Sequence, residues 1–366
     1  MMFIGQKTYY GCLKHFWRIR MKRFIEIDIA RGITIFLVVM GHTAIPIWLN
    51  NILRDFRMPL FFWVSGYLFS SQRYLNDTRL LWINKFYALL VPYFSVGILS
   101  YFYWLILKIA DPLRTEFIWY KPLVGILYGN GVNGWLSLNV PLWFLVCLFC
   151  VQLLYCYSQK IIGDFKVYTQ IGFYLIIGLI GYSIGRFVFL PWGLDIALVA
   201  LFFMYLGNKF KEYQLLNKIK PIGIVSILSF IIFGIATYIN NADMNNRIYN
   251  NFFIFYIAGI SGSIATLSFA KFLSKMKLPT KFFTFLGRES LIILIFHVGF
   301  AIATLKFIDK LYVVGTIHWS IYFAIGLIIP ISLSFFIKKI PILNILLNGK
   351  GKPVVTENTI SQLKAS

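Results

Sequence analysis

The chain has 366 residues, 59% of them hydrophobic and 13% charged, with a mean hydropathy of +0.75 and a formal net charge of +22. So little polar surface excludes a water-soluble globule of this size, and the solvent of most of the chain is lipid. Period-two alternation is absent and the apolar windows run to roughly 20 residues, the length of a spanning helix, which argues against a barrel.

In chain order, residues 1–23 are basic and aromatic and lack the apolar core of a cleavable signal peptide, so they read as a cytoplasmic N-terminal segment. Met21-Lys22-Arg23 would make a conventional start just before the first span, which leaves residues 1–20 as either an extension or a misplaced start. Spans are expected at 29–49, 56–69, 86–107, 141–157, 168–188, 194–207, 222–239, 252–272, 291–305 and 317–336. The predicted fold is therefore all-α, a polytopic bundle of about ten transmembrane helices in a single membrane domain over 24–340. A polar, irregular tail follows at 341–366.

With the N-terminus inside, 25 of the 35 Lys and Arg residues fall in cytoplasmic segments, which puts both termini in the cytoplasm. Topology and attraction to anionic lipid account for the positive charge without nucleic acid. The long outer loop at 108–140 is rich in aromatic residues, Gly and Asn, as suits a segment lining a cavity, and its Trp and Tyr residues equally suit an interfacial belt. Cys147 and Cys150 have the spacing of a metal or redox pair but lie inside an apolar span, where small hydrophobes pack a helix face. No metal site is expected.

Ionisable side chains inside spans cost about 2.5–3.5 kcal/mol on insertion scales, so each one is a functional candidate. Arg31, His42, Arg57 and His297 stand in this position, with Asp28 and Asp195 at the lips of spans. Arg31 and His42 are eleven residues apart, which places them on one helix face about 16 Å apart at 1.5 Å per residue. Arg31 reads either as a bound-anion contact or as an orientation charge paired with Asp28. His42 follows Gly41, which allows close approach of a backbone or ligand. A free imidazole titrates near neutrality, so His42 reads as a general base or as a structural hydrogen bonder. Arg57 is expected to open the second span after a hairpin at 50–56, where it could hold an anion or an oxyanion. Ser65 is a further hydrogen bonder or a back-bonded helix serine. His297 is structural, catalytic or both.

These segments resemble the membrane-bound acyltransferase family 3, especially its sugar O-acetylase branch related to fucose 4-O-acetylase. EIDIARGITIFLVVMGHT, with Arg31 and His42, is similar to the family's first-helix signature, and FRMPLFFWVSGYLF to its second. VPLWFLVCLF around Trp143, LPWGLDIALVALFFMYLGNKF with Asp195, and FLGRESLIILIFHVGF with Glu289, Ser290 and His297 resemble later motifs, in order over about 23–340. Many sugar-acetylase relatives carry His where Arg57 stands, and Arg suits the wider family.

The resemblance implies an O-acetyltransferase of the cytoplasmic (inner) membrane. It would move an acyl group, usually acetyl from acetyl-coenzyme A, to a sugar hydroxyl of a surface polysaccharide or its lipid-linked precursor. It implies catalytic roles for His42, Arg57 and His297, donor binding by Arg31 and Asp28, and substrate contacts from Trp143, Asp195 and Ser65, with no permanently bound cofactor. A transporter, flippase or polymerase for lipid-linked sugars is the competing class, since its intramembrane charges would line a translocation path.

Overall fold

In the computed structural model, which describes residues 24–111, 118–137, 139–218, 222–313, 315 and 317–350, the first apolar run is the helix Ile25–Gly41 (α1). Glu26 and Asp28 lie in its first turn, where negative charge meets the positive helix end. The helix stops at Gly41, well short of the span expected to reach residue 49. Pro46 has no N–H to continue a helix and disfavours helical geometry in Ile45 before it. The chain turns here, and Pro46 caps a single helix, Ile47–Leu68 (α2).

The hairpin expected at 50–56 is therefore helix, and Arg57 lies in the middle of α2. Its polar stretch stays helical because other elements satisfy the buried groups. The Asp55 carboxylate accepts the Ala242 N–H at 2.6 Å, and Arg54 pairs with Asp243 at 3.6 Å.

Two short helices, Ser71–Asn76 (α3) and Thr78–Lys85 (α4), lead through a π turn, Phe86–Leu90, into Val91–Ala110 (α5). Lys121–Tyr128 (α6) precedes the long helices Trp143–Ile162 (α7), Val167–Gly185 (α8) and Leu194–Glu212 (α9). A tight turn between α8 and α9 holds Trp192 and Gly193 at positive φ. Leu215–Lys218 (α10), Ile222–Ile239 (α11) and Phe252–Leu273 (α12) follow. Lys277–Phe296 (α13) passes through the π turn His297–Ile302 into Ala303–Ile308 (α14), and Trp319–Ile337 (α15) and Pro341–Asn348 (α16) complete the described chain. Among the described residues there is no strand, only an isolated antiparallel bridge between Asp243 and Ile248.

Among the described residues, seven helical stretches are long and apolar enough to cross a membrane: 78–110, 140–162, 167–185, 191–212, 252–273, 277–312 and 319–337. Ten were expected. The other three fall short for visible reasons: α1 has 17 residues, α2 carries Arg54, Asp55 and Arg57, and the apolar part of α11 spans 223–239. The apolar stretches of α7 and α9 are 83% and 78% buried, so these two helices form the centre, whereas those of α8 and α15 are 22% and 28% buried and lie at the periphery. The segment after residue 340 begins as helix α16 and packs on α5, because Leu343 and Leu347 give it an apolar inner side. Residues 1–23 and 351–366 lie outside the described residues.

Glycines set two close crossings. A Cβ on Gly66 of α2 would stand 1.9 Å from the Met204 carbonyl oxygen of α9, and one on Gly207 of α9 would stand 1.9 Å from that of Trp63. Gly32 of α1 and Gly287 of α13 likewise meet the Phe283 and Asp28 carbonyls at 2.0 Å. Small residues let helices approach until dispersion and weak polar contacts operate, which is how helices associate where lipid removes the hydrophobic drive. Gly207→Ala is expected to destabilise the bundle by about 1–3 kcal/mol, as overpacking does. A lowered unfolding midpoint in detergent checks this, and an unchanged one would show that the crossing can open without cost.

Candidate active site

α1 and α13 run side by side in one direction and are joined at two levels. At one level, the Arg31 guanidinium donates to Ser290 Oγ at 2.8 Å. At the far end, His42 Nδ1 and His297 Nε2 are 3.2 Å apart. The single face predicted for Arg31 and His42 is thus the face toward α13, although His42 is the residue that leaves the helix, with φ −96° and ψ 1°.

The surrounding acceptors assign the tautomers. His297 Nδ1 faces the carbonyl oxygens of Ile293 and Leu294 at 2.8 and 2.9 Å, so it carries the proton and Nε2 is the acceptor. His42 Nδ1 lies 2.8 Å from the Val38 carbonyl and faces that acceptor nitrogen, so it also carries its proton. The lone pair of His42 is therefore on Nε2, on a half-buried ring, while His297 is fully buried. The result is a base whose orientation and tautomer are fixed from behind, the arrangement general-base chemistry needs. His297 begins a π turn, a distortion that is frequent at functional sites. Asn139 supports that turn by donating to the Ile295 carbonyl at 2.9 Å and to Ser100 at 3.0 Å.

Arg57 is buried against the end of α1. Its guanidinium donates to the Leu37 carbonyl at 2.9 Å and to Asn50 at 3.2 Å. A Cβ at Gly41 would stand 1.6 Å from Arg57 Nη1, so glycine before His42 is what lets the guanidinium lie there. No carboxylate pairs with Arg57 among the described residues, which leaves a cation with spare donors beside the histidines.

A cavity of about 300 Å³ lies along α1 and α13, its lining ending at Leu294, one turn before His297. Arg31, Lys85, Arg288 and Lys350 line it together with Ser65, Ser290 and Gln152. Its apolar wall includes Phe61, Phe144 and Leu294, the last being the residue whose carbonyl accepts from His297. Burial, and Lys338 nearby, push the Lys350 ammonium down from its ordinary range, so an anion at this mouth would relieve a crowded positive field. Asp28 sits 3.9 Å from Arg288.

The remaining candidates lie elsewhere. Trp143 is buried against Phe144 and beneath Gly131, and it does not line the cavity. Asp195 is buried in a two-pronged ion pair with Arg247, at 2.7 and 3.2 Å, and also accepts the Leu190 N–H. Arg247 carried no signal of this role in the sequence, since it sits in a polar loop. Gln152, the sole amide side chain in the predicted span 141–157, was a legible signal that motif reading passed over. Among the described residues no group of His, Cys, Asp and Glu could hold a metal ion.

The fold and site define a multi-pass helical membrane protein with a hydrogen-bonded histidine pair beside a buried cation and a cationic cavity along the same two helices. A family model described as an acyltransferase domain matches residues 24–338, and the chain belongs to this acyltransferase 3 family. Neither the curated proteins nor the solved structures give a match. The protein is a membrane acyltransferase.

Proposed function

We propose that the protein is an O-acyltransferase that takes an acyl group, most simply acetyl, from acyl-coenzyme A and places it on a sugar hydroxyl of a surface polysaccharide or its lipid-linked precursor. The carrying observation is the His42–His297 pair beside Arg57, with a cavity along the same two helices whose lining holds four basic side chains. In this reading ten helices cross the cytoplasmic membrane, both termini are cytoplasmic, and the cavity opens to the cytoplasm. The donor's phosphates bind Arg31, Lys85, Arg288 and Lys350. The acyl thioester extends toward the histidines, over a span comparable to a pantetheine arm of on the order of a dozen bonds.

His42 Nε2 takes the proton of the acceptor hydroxyl as its oxygen attacks the thioester carbonyl. The Arg57 guanidinium stabilises the tetrahedral oxyanion. Collapse breaks the carbon–sulfur bond, and the departing thiolate receives the proton from His42. A relay through an acyl-histidine uses the same atoms in two steps.

Surface glycans from cells with the gene, without it and with His42→Ala, compared by mass spectrometry before and after mild alkali, test the reading. One alkali-labile acyl increment that requires both the gene and His42 is expected. A glycan that disappears altogether without the gene would favour export or polymerisation instead.

A further inference from the structure

Helix α7 carries four polar side chains along its inner length, and three of them are tied to neighbouring helices. Tyr155 donates to Asn208 at 2.9 Å, Ser158 and Tyr174 share a hydrogen bond at 2.7 Å, and Gln159 donates to Tyr174 at 2.8 Å. Gln152 differs. It is 6% exposed, its Oε1 is buried without a hydrogen-bond partner, and among the described residues no side chain or carbonyl bonds its amide. An amide buried unpaired in an apolar helix is costly, and water or a ligand must meet it for the position to be tolerated.

Gln152 lies in the wall of the cationic cavity, and its place there is specific. Phe144, Leu148 and Gln152 recur at four-residue intervals and so share one face of α7. Phe144 stands at the apolar end with Phe61 and Leu294, about 12 Å along the helix from Gln152 at 1.5 Å per residue. The cavity therefore presents basic groups, then an amide, then apolar surface leading toward the histidine pair. Acyl-coenzyme A presents the matching order: phosphates, then the two amides of the pantetheine arm, then the thioester.

We infer that Gln152 hydrogen-bonds an amide of the donor's pantetheine arm through its side-chain amide, and so sets the depth to which the thioester is inserted. This rests on the acyl-coenzyme A reading above. The test is equilibrium binding to the full-length protein in detergent with two probes: coenzyme A, and adenosine 3′,5′-bisphosphate, which has the nucleotide phosphates but no arm. Gln152→Met keeps side-chain volume and removes the amide; Gln152→Asn keeps the amide and withdraws it.

In both variants coenzyme A affinity is expected to fall about tenfold, the weight of one well-placed hydrogen bond, with bisphosphate affinity unchanged. The unfolding midpoint of ligand-free Gln152→Met should stay level or rise, because an unpaired amide is gone. Unchanged coenzyme A affinity in both variants would overturn the inference, as would an equal loss for the two probes, which would mean that Gln152 acts through the fold. If the wild-type protein binds neither probe, the donor reading itself fails and this assignment fails with it.

Discussion

His42→Ala is expected to lower acyl transfer by about 10²- to 10⁴-fold, the range that a positioned general base supplies. Three carbonyl oxygens and one ring nitrogen fix both imidazole tautomers and leave the His42 lone pair on Nε2. When that nitrogen takes a proton, the imidazolium that forms still donates its Nδ1–H to Val38 and His297. His297 therefore acts on the reaction through His42, and its removal should cost less. His297→Ala is expected to lose about 10- to 100-fold, with Val38 still holding the ring. His297→Gln, whose Oε1 has a reach close to that of imidazole Nε2, should recover part of the loss. Rates on membranes containing matched amounts of inserted protein decide the matter. Near wild-type turnover by His42→Ala would falsify both the base and the acyl-histidine mechanisms.

The second large effect concerns stability. Asp195 and Arg247 are 1% and 7% exposed, and Arg247 also donates to Asn130 at 2.9 Å and to the Asn245 carbonyl at 2.7 Å, with Phe189 against its guanidinium. One ion pair thus ties the start of α9 to two loops at the same end of the bundle. Asp195→Ala leaves a buried guanidinium without its counter-charge, and breaking such a pair costs about 3–5 kcal/mol. The unfolding midpoint in detergent is expected to fall on the order of 5–10 °C. Asp195→Ala combined with Arg247→Met should recover much of that fall, since no charge then remains unpaired. A variant that loses activity with its midpoint intact would instead return Asp195 to the substrate, the role implied by its motif.

How much of this was legible in the sequence differs residue by residue. Composition and apolar windows dictate a helical membrane bundle, because lipid offers no partner for backbone groups and only a structure satisfied internally can span it. The ordered motifs give the family, and the eleven-residue spacing of Arg31 and His42 gives their common face, because helical period is a local property. Boundaries were less legible. The polar stretch of α2 looked like a hairpin because the partners that let Asp55 and Arg57 remain in a helix, Ala242 and Leu37, come from other parts of the chain.

What only the tertiary structure decided are the pairings across long sequence separations. His297 reaches His42, Arg247 reaches Asp195, and the C-terminal end of α16 brings Lys350 to the same cavity as Arg31. Sequence by itself determined which costly polar groups the membrane would have to accommodate. Three-dimensional packing determined which of them meet, because an intramembrane charge or amide reveals its role through the group that satisfies it, and that group is set by helix contacts no local pattern encodes.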